Sequence, residues 1–481
     1  MSFRARGIPT VSAVLTALLL SLLGGVGTAR AATVTVTNGT QFADTAGNPV
    51  HAHGGGVVKV GQFYYWFGED RNADNTFRYV SAYRSADLKT WEFRNHVLTQ
   101  ATDPELASAN IERPKVMYNA ATGKFVMWMH KENSQDYGEA RAAVAVSDTV
   151  DGDYTWRGSF RPFGEMSRDI TTFVDDDGTG YMISAANENA DLHVYRLTPD
   201  YTSVDAQVQK LWPGNWREAP AMFKRNGVYF LLTSGATGWA PNQQKYATAT
   251  SITGSWSGLK DIGDSTTYRT QTAYVLPVQG TNGTGYLYMG DRWGNSMGAM
   301  VNDSQYVWLP LKFPTKTTMT MDYSPQLTVD TATGSVRGMN VIWETLTARH
   351  SGRCANVANF DTRDAAQLVQ WGCSPEINEQ FWFKKNGTGY VQIMARHSGK
   401  CLDVAGASTA DGALVVQNPC DGRPSQQWKL RATDSAAHVQ LAARHSGKCL
   451  DVTNQATTDG APLEQWTCGT GTNQHWKRTT V

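Results

Sequence analysis

Apolar positions fall in short runs separated by polar turns along most of the chain, and long apolar helical stretches are absent. Five aromatic runs stand out: Phe63-Tyr64-Tyr65-Trp66, Phe125-Val126-Met127-Trp128, Tyr181-Met182-Ile183, Tyr229-Phe230-Leu231-Leu232 and Tyr286-Leu287-Tyr288-Met289. Their length and content predict strands. Asp175-Asp176-Asp177-Gly178 and Asn226-Gly227 directly precede two of them and are hairpin signals. Further strands are predicted at residues 79–83, 142–146, 192–195 and 245–249. Ahead of each aromatic run lies a copy of one pattern, over residues 51–57, 111–116, 168–173, 217–222 and 270–275. Repeats tens of residues apart, each carrying several strands, mark a propeller or solenoid. Five four-stranded sheets around an axis protect their edges by radial packing, so residues 32–343 are predicted to form a five-bladed β-propeller. If the copies are equivalent, Glu112, Asp169, Glu218 and Gln271 share one position in successive blades and converge on a central pocket.

A second repeat closes the chain. Ala348-Arg349-His350-Ser351-Gly352-Arg353-Cys354 recurs from Ala395 to Cys401 and from Ala443 to Cys449, and each copy ends in Gln-x-Trp, at Trp382, Trp428 and Trp476. The six cysteines pair at equal spacing, Cys354 with Cys373, Cys401 with Cys420 and Cys449 with Cys468, which implies three local disulfides. No pair is a CxxC, which argues against zinc. These copies resemble the ricin-B-type β-trefoil of family 13 carbohydrate-binding modules, over residues 344–481. The resemblance implies that the three tryptophans build a shared core. It also implies a sugar site in each lobe, made by an Asp after the first Cys, an aromatic before the second, and an Asn or Gln near the Gln-x-Trp. The third lobe fits with Asp451, Trp466 and Asn473; the second keeps Asp403 but has Asn418 for the aromatic; the first has Asn356 for the Asp, with Trp371 present. The expected order of binding competence is third, second, first, against the alternative of a lobe that folds and binds nothing. No Pro- or Ser-rich linker precedes Ala348, so the two domains are expected to touch.

The ends and the composition narrow the setting. Arg4 and Arg6 precede an apolar run from Val11 to Val26, and Ala29-Arg30-Ala31 offers a small-x-small cleavage signal. This predicts a secretory signal peptide over residues 1–31 and an exported, soluble protein. Formal net charge is zero among 481 residues, so nothing recommends a nucleic-acid partner. Abundant Trp and Tyr suit an all-β protein that stacks on sugars, although composition alone favours an ordinary β-rich core.

Arg168-Asp169, Arg217-Glu218-Ala219-Pro220 and an aromatic strand after each copy resemble glycoside hydrolase family 43. That resemblance makes Glu218 the general acid and Asp169 the carboxylate that positions it and raises its pKa by like-charge repulsion. The family inverts configuration, which requires a base across the sugar with water between, at a carboxyl separation of about 6.5–9.5 Å. Most members carry that base as an Asp on the first blade, where this chain has His51-Ala52-His53-Gly54-Gly55-Gly56. Together with Trp66-Phe67-Gly68-Glu69, Glu112-Arg113-Pro114-Lys115-Val116 and Arg269-Thr270-Gln271, that opening resembles the exo-β-1,3-galactanase subgroup. There a Gln occupies the base side, so Gln271 is expected to position the water or to act as its imidic-acid tautomer. Glu112 is the rival base, although the subgroup makes it a galactose ligand.

By the same resemblance Glu69, Tyr137 and Thr237 contact sugar, and Trp239 and Trp293 are stacking candidates against a plain core reading. His51 and His53 are expected to pack near the funnel floor, where glycines let the backbone approach the axis. The bland alternative for Glu218 and Asp169 is a buried salt bridge with Arg217 and Arg168. The resemblance implies a secreted, monomeric exo-β-1,3-galactanase whose partner is a polysaccharide, with no cofactor, metal or membrane. The alternatives are an α-L-arabinofuranosidase or β-xylosidase of the same fold, or a carbohydrate-binding protein that has lost catalysis.

Overall fold

The computed structural model describes residues 33–481, so the expected signal peptide lies outside the described residues. Five four-stranded antiparallel sheets follow one another in chain order. Their first strands are His53–Val60, Ala109–Asn119, Ile170–Val174, Arg217–Arg225 and Gln271–Gly280. Each first strand contacts the first strand of the next blade, and the fifth contacts the first, which closes a ring around a central axis. The aromatic runs form the second strands, Phe63–Arg71, Lys124–Asn133, Gly180–Ala186, Val228–Gly235 and Gly283–Arg292.

Those second strands are nearly continuously apolar because both faces of every sheet are covered. Side chains alternate across a strand. Tyr65 and Phe67 pack into a core shared with Ile111, Met127 and Met129 of blade two, while Trp66 between them packs with Met289, Tyr306 and Trp308 of blade five. The same sharing joins blades two and three, three and four, and four and five. Each blade is thus a slab between two cores.

The ring is fastened by a small sheet that the repeat pattern does not announce. Val34–Thr37 pairs with Gln326–Asp330, which pairs with Ser335–Gly338. Next to it, the buried Asn38 amide donates to Trp308 O (2.6 Å) and Ser324 O (2.8 Å), and its oxygen accepts from Trp308 N (2.7 Å). One side chain from the start of the domain therefore satisfies three backbone groups near its end.

The C-terminal region is a three-lobed barrel. Glu344–Ala348 pairs with Trp476–Thr480, and the disulfides Cys354–Cys373, Cys401–Cys420 and Cys449–Cys468 each tie one lobe. Trp428 and Trp476 lie in the shared core, as expected, but Trp382 does not. The equivalent backbone pairs are Ala443 with Trp428, Ala348 with Trp476 and Ala395 with Phe381. Lobe one is therefore displaced by one residue from the Gln-x-Trp reading. Phe381 fills the core, Glu379 takes the place of Gln426 and Gln474, and Trp382 turns to pack against the core shared by blades four and five. Among the described residues, no helix is long and apolar enough to cross a membrane.

Asn38→Ala removes the ring's fastening and strands buried backbone groups at about 1–3 kcal/mol each. We expect it to lower the thermal midpoint by several degrees without changing the disulfides; an unchanged midpoint in calorimetry would show that the small sheet alone holds the ring.

Candidate functional site

Four of the first strands break register near the axis, after His53, Glu112, Glu218 and Thr272. In three of them the residue after the polar position sits at positive φ: Gly54 (63°), Arg113 (52°) and Ala219 (50°). A bulge with a left-handed residue re-aims the neighbouring side chain. For Arg113 and Ala219, which carry a Cβ, this conformation costs about 1–2 kcal/mol. Repetition of that strain around the axis is how the backbone turns Glu112 and Glu218 inward. Asp169 precedes the third blade's strand and Gln271 opens the fifth's. Glu112, Asp169, Glu218 and Gln271 line one cavity of about 340 Å³, in the range of small-molecule sites.

Glu218 is buried, and its partners are amides: Oε2 accepts from Asn189 Nδ2 (3.0 Å) and Oε1 from Gln271 Nε2 (2.9 Å). Burial, with the Asp169 charge adding to it, pushes its carboxyl up to about 8. Asp169 accepts from the Ala219 backbone N–H (3.0 Å), so it fixes the turn that carries Glu218. Its other oxygen meets Arg113 Nε at 2.8 Å. Neither neighbouring arginine pairs with these acids. Arg217 donates to Thr233, and Arg168 to Glu188 and the Tyr137 carbonyl.

Glu112 has the opposite surroundings. Oε1 accepts from Arg71 Nη2 (2.8 Å) and the Tyr137 hydroxyl (2.8 Å), and Oε2 lies 3.1 Å from His130 Nδ1. Burial alone would raise its pKa, but His130 and Arg71 outweigh burial and hold it well below the usual carboxylate range. His130 is buried between two carboxylates, with Nε2 2.8 Å from Glu132 Oε1; burial would lower its pKa, and the two acids push it up to about 9 instead. The imidazolium and Arg71 keep Glu112 ionised.

Blade one supplies its carboxylate from the second strand rather than the first. Glu69 accepts from Arg71 (2.7 Å) and from the Arg113 backbone N–H (2.9 Å). A Cβ at Gly54 would collide with Glu69 Oε1, and one at Gly55 with the Phe67 carbonyl. The glycine run thus admits Glu69 to the axis. His53 packs, stacked on Tyr306 at 4.6 Å, as expected; His51 lies instead in an outer groove beside Asp70 and His96.

Gln271 has all its amide positions engaged. Oε1 accepts from Arg113 Nη2 (2.5 Å) and Trp293 Nε1 (2.7 Å), and Nε2 donates to Glu218 and to Ser234 Oγ (2.9 Å). Glu69, Tyr137 and Trp239 also line the cavity, and Trp239 meets Trp293 edge-on at 5.3 Å. Thr237 does not line it: its hydroxyl donates to Ala240 O and accepts from Asn242, closing the loop that presents Trp239. Sequence reasoning missed Arg71, Arg113, His130, Asn189 and the exposed Trp216, all of which line the cavity. Only Arg113, inside the Glu112-Arg113-Pro114 motif, carried a local signal. Glu112, His130 and Asp169 converge closely enough for a metal, but a divalent ion would have to displace Arg113 and the His130 proton.

In the trefoil, Asp451 accepts from Asn473 and Gln474 (2.8 Å each) beside the half-exposed Trp466. Asp403 accepts from Asn418 (3.0 Å) and Gln426 (3.2 Å), with no aromatic at the place Trp466 holds.

Residues 47–294 match the description "Glycosyl hydrolases family 43", and residues 341–418, 377–466 and 424–481 match "Ricin-type beta-trefoil lectin domain-like". An exo-β-1,3-galactanase from Clostridium thermocellum is 48% identical, over 93% of this chain and 100% of that one, with a TM-score of 0.65. An exo-β-1,3-galactanase from Phanerochaete chrysosporium, solved with β-1,3-galactotriose, is 29% identical over 93% of each chain, with a TM-score of 0.63. A β-D-galactofuranosidase from Aspergillus niger is 25% identical over 46% of this chain and 68% of its own length. A propeller with this funnel, matched over half the chain and followed by a ricin-type trefoil, places the protein in glycoside hydrolase family 43.

Proposed function

We propose that this glycoside hydrolase is an exported, inverting exo-β-1,3-galactanase that releases galactose from the ends of β-1,3-galactan chains. The observation that carries the reading is Glu218: a buried carboxyl in contact with neutral amides only, its proton affinity raised further by Asp169. Such a group is poised to protonate a leaving glycosidic oxygen. The buried floor of Glu69, Arg71 and His130 favours a chain end over a chain middle. The 48% identical galactanase supports the choice of sugar.

Asp169 positions and tunes the acid. Glu112, locked as an anion, is a poor base and a good acceptor for sugar hydroxyls, and its charge faces an oxocarbenium-like transition state. Gln271 holds the attacking water once sugar displaces one of its present partners. As Glu218 gives its proton to the leaving oxygen, the attacking water's proton passes to the Gln271 amide oxygen and the Nε2 proton returns to Glu218 Oε1. This leaves Gln271 as its imidic-acid tautomer until it exchanges back. Glu69, Tyr137 and Trp239 complete the sugar contacts, and Asp451, Trp466 and Asn473 hold the polysaccharide on the trefoil.

Incubation with β-1,3-galactan, β-1,4-galactan, arabinan, xylan and a β-galactofuranoside should give galactose from the first alone. Arabinose, xylose or galactofuranose release would replace the reading. Glu218→Gln should lower turnover about 100- to 10,000-fold while polysaccharide binding survives.

The pH profile tests the tuning. Catalysis needs the protonated Glu218, so the rate should fall as pH rises through about 8. Asp169→Asn removes the like charge, lowers the Glu218 pKa and should move that limb to lower pH; an unmoved limb would exclude Asp169 as the tuning group. Gln271→Ala should cost mainly kcat and Glu112→Gln mainly KM. The reverse split would make Glu112 the base.

A further inference from the structure

We propose that the first lobe of the trefoil extends the catalytic funnel, binding the galactan chain whose terminal sugar occupies the active site; this rests on the galactanase reading above. Lobe one carries a cleft of about 360 Å³ lined by Asn356, Asn378, Phe360, Trp371 and Gly460. Trp371 is 48% exposed, matching Trp466 of lobe three at 46%. The missing Asp is balanced by a second exchange. Lobe three pairs Asp451 with Gln474, whereas lobe one pairs Asn356 with Glu379 (3.0 Å), so the carboxylate and the amide have traded places and the pair is kept behind the cleft. Asn378, 97% buried, donates its amide to Asn356 and Val357, and its Oδ1 has no partner. A buried acceptor without a donor is costly and points to a hydroxyl-bearing ligand.

Lobe two lacks the exposed aromatic, although its Asp403 Oδ1 and Ser425 Oγ are also buried without a partner. Asn418 replaces the aromatic, and Ser425 stands where lobes one and three have Asn378 and Asn473. The geometry therefore orders the lobes third, first, second, with the expected places of the first and second exchanged.

Position gives lobe one its role. Phe360, on the cleft wall, lies 5.7 Å from the Arg269 guanidinium. Arg269 in turn lines a recess with Trp239, Gln271 and Trp293 at the blade-five side of the funnel. Thr362 of lobe one touches Met297, in the turn that follows Trp293. Trp382 of the same lobe packs on the propeller. Phe360 and the Arg269 guanidinium thus stand between the lobe-one cleft and the recess that carries Gln271.

The test is hydrolysis of β-1,3-galacto-oligosaccharides of increasing length by the full-length enzyme and its Trp371→Ala and Trp466→Ala variants. Wild-type kcat/KM should rise with length. Trp371→Ala should remove about tenfold of that rise and leave the shortest substrate unchanged. Asn378→Ala should act in the same direction. Trp466→Ala should weaken retention on insoluble galactan and keep the length dependence. The proposal is overturned if Trp371→Ala lowers retention with the length dependence intact, or changes neither. Absence of galactose release by the wild type would instead overturn the galactanase reading, and this one with it.

Discussion

The funnel depends on one cation. Arg113 leaves blade two, and its guanidinium binds Asp169 ahead of blade three and Gln271 and the Thr272 carbonyl on blade five. Its backbone N–H binds Glu69 of blade one, and its charge opposes the rise in the Glu218 pKa on blade four. Burying a guanidinium costs several kcal/mol unless its donors are matched, and here the matching acceptors come from the blade-three and blade-five sides of the axis. The same contacts explain its strained backbone: at φ 52° the N–H turns to Glu69 while the side chain crosses the axis. Arg113 thus ties the walls of the site to the strands that close the ring.

Burial and charge pairing together decide which acid keeps its proton: burial raises the pKa of both Glu69 and Glu218, and Glu69 has Arg71 in direct contact to oppose it. Of the five carboxylates on the cavity wall, Glu69 meets Arg71, Glu112 meets Arg71 and His130, Asp169 meets Arg113, and Glu188 meets Arg168. Glu218 alone among these five hydrogen-bonds only to amides. Burial and the Asp169 charge outweigh the Arg113 charge, so the neutral form of Glu218 is favoured. Acid character follows from the distribution of partners, not from the residue type. Glu112 is a glutamate in the equivalent place of its own blade, and its partners make it a permanent anion.

The fold was legible because a propeller writes its core into local sequence. Each second strand is covered on both faces, so residues 63–66 and 125–128 read as unbroken runs of large apolar and aromatic residues. The fourth strands, such as Val204–Leu211 with its alternating exposure, carry no comparable signal. The acids were legible from their motifs, but their partners were not. Arg71 reaches Glu112 across 41 residues and Arg113 reaches Gln271 across 158, and no local pattern encodes such pairs. Gly54-Gly55-Gly56 is legible as a gap and not as a doorway for Glu69. Trp382 misled because the letters of Gln-x-Trp recur one residue out of register, and only Glu379 in place of Gln hinted at the shift.

That one-residue shift has a physical use. In lobes two and three the tryptophan closes the trefoil core, while in lobe one Phe381 closes it and frees Trp382 for the propeller. The threefold symmetry is therefore broken where the second domain meets the first. His397 lies buried at this junction and donates its Nε2–H to the Asp361 carbonyl (3.0 Å). Burial, with Arg292 and Arg269 beside it, lowers its pKa to about 3. The sign follows: a base depressed in the fold but ordinary in the unfolded chain stabilises fully above about 6.5, and that contribution fades as pH falls toward 3. Glu218 titrates near 8, well inside the range where this contribution is complete. The protonation that governs catalysis and the one that weakens the junction are thus separated along the pH axis, so the acid can lose its proton while lobe one stays docked at the funnel rim.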